Sequence, residues 1–205
     1  MRAGALTVYL VEDDASVRDS LALMLGLAGY ATAAYADAES FLAAWRPEWA
    51  GCVVTDLRLP GMTGLELQAA LRERRSTLPV IVITGHGDVP SARVAFRAAA
   101  LDFLEKPFDD AQLRAAIDTA FALEDHRLGS DEARRADAAR LERLTPRERE
   151  VLEHAARGLH AKEIAAALGI SPRTVEVHKA HIMEKLGVRN VAELVRFALA
   201  GNRGA

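Results

Sequence analysis

Short apolar runs alternate with helix-like segments over the first 122 residues of this chain, and this alternation restricts the fold more than any other feature. The runs are VYLV, YATAAY, CVVT, PVIVIT and LDFLE. The first and last helical segments each carry an apolar face, formed by Val17, Leu21, Met24, Leu25 and Ala28 and by Leu113, Ala116, Ile117 and Ala120. Repeated strand–helix pairs build a parallel sheet with helices on both faces. The pattern therefore predicts an α/β domain over residues 6–122.

The strand-like runs stop after Phe121. Residues 123–140 carry many charges of both signs and few large apolar side chains, which predicts a linker that is helical in part. Gly129 and Ser130 either break this helix or lie inside it, and the sequence leaves both possibilities open. From residue 141 to 202 only helical patterns follow, so the second predicted domain is all-α.

Capping residues mark where several of these helices start. Asp88 is placed to cap the fourth segment, and Asp109 forms a capping box with Gln112. In the second domain, Thr145 and Glu148 form a capping box with Pro146 at the first helical position. Two short helices joined by a tight glycine-containing turn follow, which predicts a helix-turn-helix at about residues 161–186.

Charge and composition separate the two halves. Residues 1–122 contain 11 basic and 16 acidic side chains, whereas residues 141–205 contain 11 basic and 8 acidic ones. This asymmetry suggests that the two domains face different partners. The single cysteine, Cys52, excludes an intramolecular disulfide and is interpreted as a packing residue. With no apolar run long enough for a membrane span and no signal peptide, we expect a soluble cytoplasmic protein without a membrane partner.

Polar side chains end four of the five predicted strands. They are Glu12 and Asp13, Asp56, Thr84 and Lys106. In an open parallel sheet, ligands bind beyond the carboxyl ends of the strands where the strand order reverses, and an order of 2-1-3-4-5 would bring these residues together there. Crowded carboxylates attract a hard divalent cation such as Mg²⁺. Asp14 is either a further acid of this group or the cap of the first helix.

Over residues 6–122 the sequence resembles the receiver domain of two-component response regulators. The matching pieces are VEDD, VVTDLRLPGMTG, VIVITGHGD and DFLEKPF. The resemblance implies a flavodoxin-like (βα)5 fold with sheet order 2-1-3-4-5, and it makes Asp56 the phosphoacceptor. It also implies Mg²⁺ (or Mn²⁺) bound by Asp13, Asp56 and the backbone carbonyl of Arg58, with Glu12 completing the acidic pair.

The same resemblance assigns roles to residues at the ends of the last two strands. Thr84 would bond a phosphoryl oxygen and Lys106 would supply the cation opposite it, while Phe103 would turn inward as Thr84 shifts. The face from Asp88 to Leu104 would then dimerise. His86 has no second imidazole placed to join it in a metal site, and the sequence HGD that it begins is similar to the FixJ-type subgroup.

Residues 141–202 closely resemble the LuxR/FixJ-type DNA-binding domain, through the segment from LTPRERE to VRFAL. In the third helix of this domain Val175, Ile182 and Leu186 share one face. The candidate DNA-contacting residues are Lys162, Arg173, Thr174, Glu176, Val177, Ala180, His181 and Lys185. Among them Val177 could pack on a thymine methyl group, Glu176 could read cytosine or repel phosphate, and the others suit phosphates or base edges.

These resemblances imply a regulator rather than an enzyme, with slow self-dephosphorylation as its only catalysis. Its expected partners are a sensor histidine kinase, promoter DNA, RNA polymerase and, after phosphorylation, a second copy of the chain. One alternative is a regulator that uses the receiver only to dimerise. An Asp-nucleophile phosphatase is disfavoured because Arg58 stands where such enzymes carry a second Asp, and a sensor of acyl-lactone signals because the first half offers no obvious apolar ligand cavity.

Overall fold

The computed structural model describes residues 6–85, 101–190, 193–195 and 197. The chain divides into two compact units, Met1–Arg127 and Leu128–Ala205. The helix predicted after the fourth strand lies outside the described residues, together with His86 and the proposed cap Asp88. Most of the last predicted helix of the second domain lies outside them as well.

The first unit is built on a five-stranded parallel sheet. Its strands are β1 (Thr7–Val11), β2 (Ala31–Tyr35), β3 (Gly51–Asp56), β4 (Val80–Thr84) and β5 (Asp102–Glu105). Their order in the sheet is β2-β1-β3-β4-β5, which confirms the expected 2-1-3-4-5 arrangement. All residues of β3 and β4 are buried, as expected for central strands that are covered on both faces.

Helices on the two faces bury two apolar clusters. The helices are α1 (Ala15–Leu27), α2 (Ala38–Ala44), α3 (Gly64–Glu73) and α4 (Asp110–Glu142). Phe41 of α2 and Leu67 of α3 pack on one face of the sheet with Val53. Leu25 of α1 and Ile117 of α4 pack on the other face.

The two apolar faces predicted from helical spacing have different outcomes. The complete set predicted in α4, Leu113 to Ala120, is buried. In α1 only Leu25 is buried, and the prediction is wrong for Ala28, because the helix ends at Leu27 and Ala28 is its exposed C-terminal cap. Cys52 is fully buried in the second cluster, which agrees with a packing role.

Side-chain caps start the helices where the sequence predicts them. The Asp14 carboxylate accepts hydrogen bonds from the amides of Ser16 at 2.8 Å and Val17 at 3.1 Å. Asp109 and Gln112 each accept from the amide of the other, at 2.7 and 3.0 Å. Asp14 is therefore the cap of α1, because its side chain points at the free amides of the first helical turn.

The helix α4 continues through Gly129 and Ser130, so the segment predicted as a partly helical linker is helical throughout. Pairs three residues apart on its surface, Arg134 with Asp131 and Arg140 with Asp137, suit this conformation. The boundary between the two units falls within this helix, after Arg127.

The second unit contains three further described helices, α5 (Pro146–Ala156), α6 (Ala161–Leu168) and α7 (Pro172–Leu186). Thr145 and Glu148 form the predicted capping box of α5. Gly169 ends α6 at φ 66°, and Ser171 caps α7 through the amide of Thr174 at 3.1 Å. The buried core comprises Leu144, Val151, Leu152, Ala155, Ile164, Ala165, Val175, Ile182, Leu186 and Leu194. In the described part of the chain, no helix has both the length and the apolar character of a membrane span.

Replacing Gly51 should strongly destabilise the first unit. Gly51 has φ 135°, and an added Cβ would lie 1.9 Å from the carbonyl oxygen of Thr7 on β1. We expect Gly51→Ala to lower the free energy of unfolding by about 2–4 kcal/mol, because the sheet must separate to admit the methyl group. Urea unfolding followed by tryptophan fluorescence measures this, since both tryptophans of the chain, at positions 45 and 49, lie in the first unit.

The matched control is Gly26→Ala in α1, where an added Cβ meets no atom within 4 Å. Alanine is favoured over glycine in a helix interior, so this variant should be unchanged or more stable by up to about 1 kcal/mol. Equal stability of Gly51→Ala and the wild type would contradict the strand pairing of Gly51 with Thr7.

Candidate functional site

Charged side chains gather at the carboxyl ends of three strands. Glu12 directly follows β1, Asp56 is the last residue of β3, and Lys106 directly follows β5. β1 and β3 are neighbours, and the chain leaves them in opposite directions across the sheet. A crevice forms at such a point because the connecting helices lie on opposite faces.

Lys106 joins the two buried carboxylates of this crevice. Its Nζ lies 2.6 Å from Oδ2 of Asp56 and 3.0 Å from Oε2 of Glu12. Glu12 is 3% exposed and Asp56 is 9% exposed, whereas Lys106 is only partly buried. Three side chains from three strands therefore form one compact ionic group.

Burial and the neighbouring charges both affect the pKa values of Glu12 and Lys106. Burial raises the pKa of the Glu12 carboxyl and the negative charge of Asp56 raises it further, although hydrogen bonding to Lys106 opposes both. Burial by itself disfavours the Lys106 ammonium, but its hydrogen bonds and charge interactions with Asp56 and Glu12 outweigh this and raise its pKa. The ammonium is thus held in its charged form, and further positive charge would favour the ionised form of Glu12.

The remaining strand ends border this group. Oδ1 of Asp56 accepts a hydrogen bond from the Arg58 amide at 2.8 Å, which begins the loop after β3. Thr84, at the end of β4, is 2% exposed, and its hydroxyl donates to the carbonyl of Gly85 at 3.3 Å. The ring of Phe103 in β5 is partly buried and packs against the cluster on the α2–α3 face.

Asp13 is set apart from the two buried acids. Its side chain is exposed, and within residues 6–85, 101–190, 193–195 and 197 no three His, Cys, Asp or Glu side chains stand close enough to form a ready-made metal site. The donors nevertheless suit a hard cation, because Glu12 and Asp56 offer carboxylate oxygens and Lys106 brings one positive charge to two buried acids. The metal assignment of Glu12, Asp13, Asp56 and the Arg58 carbonyl stays a prediction.

Two helix side chains that sequence reasoning missed hold the loops of this site. Nη1 of Arg18 in α1 donates to the carbonyls of Glu12 at 2.8 Å and Asp13 at 3.2 Å. Oε1 of Glu39 in α2 accepts from the Met62 amide at 3.0 Å. The short spacing of Arg18 from the acidic pair was a usable signal, whereas nothing local connects Glu39 with a loop 23 positions away.

Removing the ammonium of Lys106 should raise the pKa of Glu12 further. In Lys106→Met the two buried carboxylates keep their mutual repulsion and lose their shared cation, so we expect the pKa of Glu12 to shift upward. An acid with a raised pKa destabilises the folded state as it ionises. The loss of free energy of unfolding in the variant should therefore be small near pH 4.5, the ordinary pKa of Glu, and grow as the pH rises through the shifted pKa.

Carboxyl-carbon NMR titration of Glu12 measures this shift. Lys162→Met, which changes an exposed lysine of the second unit, serves as the control for loss of a positive charge. An unchanged Glu12 titration in Lys106→Met would contradict the ionic group.

Most of the predicted contact residues of the second unit are exposed. Those that are exposed are Lys162 on α6 and Arg173, Thr174, Glu176, Val177, Ala180 and His181 on α7. Val177 is 47% exposed, while Val175, Ile182 and Leu186 on the opposite side of α7 are fully buried. The predicted division of α7 into a core face and a free face is confirmed.

Lys185, which is partly exposed, also makes an internal contact. Its Nζ lies 2.7 and 2.9 Å from the two carboxylate oxygens of Glu148, which is 4% exposed. Burial alone would raise the pKa of Glu148, but hydrogen bonds from Lys185 and Thr145 and the charge of Lys185 outweigh burial and lower it. The Lys185 ammonium therefore neutralises an internal acid of the unit, and its assignment as a phosphate contact stays a prediction.

Glu176 is also held by its own helix. Its Oε1 lies 3.2 Å from Nζ of Lys179, an ammonium whose side chain is 11% exposed, whereas that of Glu176 is 62% exposed. The ion pair holds the Glu176 carboxylate beside Lys179, which is buried on α7 together with Val175 and Ile182. Glu176 therefore neutralises a buried lysine in addition to any contact that it makes outside the protein.

Loss of Lys185 should destabilise the second unit mainly near neutral pH. In Lys185→Met the Glu148 carboxylate stays buried without its cation, which we expect to cost about 2–4 kcal/mol at pH 7. Because the folded pKa of Glu148 is lowered, its contribution is present above about pH 4.5 and is lost as the pH falls through the folded value. The deficit of the variant should therefore shrink in acid.

Urea unfolding followed by far-UV circular dichroism reports the helices of both units. Tryptophan fluorescence reports the first unit alone, so the transition of the second unit is the part of the dichroism change that fluorescence does not show. Lys162→Met is the matched control and should unfold like the wild type, because Lys162 is exposed. Equal stability of Lys185→Met and Lys162→Met at pH 7 would rule out the structural role of Lys185.

Family comparisons agree with this division of the chain. The response regulator receiver domain matches residues 8–118, and the family of bacterial regulatory proteins of the luxR type matches residues 142–198. The first match covers the sheet with its ionic group, and the second covers α5 to α7.

Full-length relatives share both parts. Transcriptional regulatory protein FixJ of Bradyrhizobium diazoefficiens is 43% identical over 192 residues, 94% of each chain, and FixJ of Rhizobium meliloti is 47% identical over 202 residues, 97% of each chain. The solved structure of response regulator StyR matches with a TM-score of 0.84 and 41% identity, covering 96% of this chain and 99% of that one. Full-length FixJ from B. japonicum matches with a TM-score of 0.58 and 39% identity, covering 99% and 100%. The chain therefore belongs to the FixJ-like two-component response regulators, transcription regulators in which a receiver domain precedes a LuxR-type DNA-binding domain.

Proposed function

We propose that a sensor histidine kinase phosphorylates this protein on Asp56 and that the phosphorylated protein dimerises on promoter DNA and activates transcription through RNA polymerase. The observation that supports this most strongly is the ionic group, in which Lys106 places an ammonium 2.6 Å from Oδ2 of Asp56. A carboxylate with a fixed cation beside it is arranged to accept a phosphoryl group, whose negative charge then finds a partner already in place.

In the proposed transfer, an Asp56 carboxylate oxygen attacks the phosphorus of a phosphohistidine on the kinase. The P–O bond to Asp56 forms as the P–N bond breaks, and the electron pair of that bond returns to the imidazole nitrogen. Lys106 then pairs with an oxygen of the new phosphoryl group, and the Thr84 hydroxyl donates to another. The buried position of Asp56 limits attack by water, so hydrolysis of the aspartyl-phosphate would be slow. This self-dephosphorylation is the only catalysis proposed for the protein.

Mg²⁺, or Mn²⁺ in its place, would be held by Asp13, Asp56 and the backbone carbonyl of Arg58, with Glu12 beside them. When bound, the ion supplies positive charge that offsets the negative charge on the phosphoryl oxygens. The donor set supports this assignment because it consists of carboxylate and carbonyl oxygens. Burial, and to a lesser extent the charge of Asp56, raise the pKa of Glu12, and a bound cation would offset both effects.

Phosphorylation is proposed to act through Thr84 and Phe103. A shift of the Thr84 hydroxyl toward the phosphoryl group would open space into which the partly buried ring of Phe103 turns. The two residues lie on neighbouring strands, where Phe103 is paired with Val82, two positions before Thr84. The dimer face predicted from Asp88 to Leu104 includes this strand, although residues 88–100 lie outside the described part of the chain.

DNA binding is assigned to the exposed surface of α7 and to Lys162. Lys162, Thr174 and Lys185 would contact phosphates, while Val177 would pack on a thymine methyl group in the major groove. Arg173 and Glu176 are further candidate contacts, and Glu176 would either read cytosine or repel a phosphate. Ala180 and His181 lie on the same free face. A dimer would set two such helices on adjacent half-sites. Because the kinase domain that donates phosphate and the promoter both lie in the cytoplasm, the protein would act there.

The test compares wild type, Asp56→Asn and Asp19→Asn, which changes an exposed aspartate of α1 in the same way. With Mg²⁺ and a small-molecule phosphoryl donor or beryllofluoride, wild type and Asp19→Asn should change from monomer to dimer in light scattering after size exclusion. Asp56→Asn should stay a monomer and should lose acyl-phosphate labelling, because an amide oxygen is a poor nucleophile. DNA selected from a random pool by the phosphorylated protein should bind it at least about tenfold more tightly than Asp56→Asn.

The outcomes separate the parts of the proposal. Labelling of Asp56→Asn elsewhere in the receiver would overturn the phosphoacceptor assignment. A wild type that is phosphorylated but unchanged in mass would overturn the dimerisation switch. Equal DNA affinity of all three proteins would favour a regulator that uses its receiver without phosphorylation.

A further inference from the structure

The loop that follows Asp56 is fixed at both of its ends. At its start the Leu57 amide donates to the carbonyl of Ile83 at 2.7 Å, and the Arg58 amide donates to Asp56. At its end Thr63 caps α3 and forms a capping box with Glu66. The Arg58 carbonyl, which the proposed function turns toward the metal, lies on this loop.

A tie from another helix reaches the loop between these ends. Oε1 of Glu39 accepts the hydrogen bond of the Met62 amide at 3.0 Å. The same oxygen would lie 2.7 Å from a Cβ added to Gly61, which has φ 75°. The Glu39 carboxylate therefore contacts the turn of the loop closely, and the absence of a side chain at Gly61 admits this contact.

The backbone that carries Glu39 is well anchored. Asp37 caps α2 through the amide of Ser40 at 2.6 Å, and the flanking residues Ala38 and Phe41 are fully buried. Glu39 itself is exposed, so its side chain contributes little to the core. An anchored helix thus presents one acceptor oxygen to the middle of the loop.

We propose that Glu39 is a positioning residue for the metal-binding loop. It touches none of the reacting atoms; it holds Met62 so that the loop presents the Arg58 carbonyl to the cation between Asp13 and Asp56. This inference rests on the proposed function, because it assigns Glu39 a part in Mg²⁺ binding at the phosphoacceptor site.

The test compares Glu39→Ala with Glu39→Gln in the full-length protein. Mg²⁺ affinity is measured by isothermal titration calorimetry, and hydrogen exchange at the Met62 amide is measured by NMR. In Glu39→Ala the amide loses its acceptor, so we expect Mg²⁺ to bind about fivefold more weakly and the amide to exchange faster by a similar factor. Glutamine keeps an acceptor oxygen at the same place, so both quantities should stay within about twofold of the wild type.

Glu48→Ala is the control, because it removes an exposed glutamate of the same unit from the segment between α2 and β3. It should bind Mg²⁺ like the wild type. Urea unfolding of the variants shows whether the change is confined to the loop. Weaker Mg²⁺ binding in Glu39→Ala, with binding retained in the glutamine and Glu48 variants, would support the inference.

Unchanged Mg²⁺ affinity in Glu39→Ala would overturn it, whether or not the Met62 amide exchanges faster, since the contact would then be structural only. Equal weakening in the alanine and glutamine variants would overturn it as well, because charge and not the hydrogen bond would be responsible. If Asp56→Asn binds Mg²⁺ as tightly as the wild type, or the wild type binds none, the metal site of the proposed function fails first and this inference fails with it.

Discussion

The ammonium of Lys106 holds together two buried carboxylates at the carboxyl ends of the sheet. It bridges Asp56, 50 positions earlier in the chain, and Glu12, 94 positions earlier. β4 lies between the strands that carry Lys106 and Asp56. The strand that carries Asp56 lies roughly 10 Å across the sheet from the strand that carries Lys106. The long side chain of a lysine suits this reach. The strand that this side chain passes, β4, ends in Thr84.

The group buries charged side chains, which by itself disfavours the folded state. Two acids that are almost fully buried share one partly exposed cation, and the pKa of Glu12 rises as a result. Replacing such a group with apolar residues often stabilises a protein. Departures of this kind from what favours stability are typical of functional sites. Under the proposed function, a metal ion and the Lys106 ammonium would together offset the charge of an incoming phosphoryl group.

The second unit uses a similar pair of residue types for a different purpose. Glu148 and Lys185 connect α5 with α7, and their carboxylate and ammonium satisfy each other at 2.7 Å. The pair fixes the orientation of α7 against the core from one side, and the exposed side chains of that helix, such as Val177, remain available. Glu148 and Lys185 thus balance each other one to one. At Lys106, by contrast, one ammonium is shared by two buried acids.

Much of this structure follows from local sequence patterns. The strand order was expected from the alternation of apolar runs and the family resemblance, and the caps at Asp14 and Thr145 were expected from residue type. The candidate residues of the acidic site could be chosen from their positions alone, because the ends of parallel strands meet at one edge of a sheet. Patterns of this kind depend on neighbours within one turn or one strand, which is why the sequence carries them.

Other features were decided only by packing. Lys185 has the spacing of a surface residue on α7, and only the fold brings the buried Glu148, 37 positions away, within reach of it. The same is true of Glu39 and the Met62 amide. Local sequence does not decide whether α4 continues through Gly129 and Ser130. A glycine is only about 1 kcal/mol less favourable than alanine in a helix interior, which packing can outweigh. The sequence by itself determined which elements form and which chemical groups they carry, whereas the tertiary structure decided which charges are neutralised inside the protein, since that depends on distances between residues far apart in the chain.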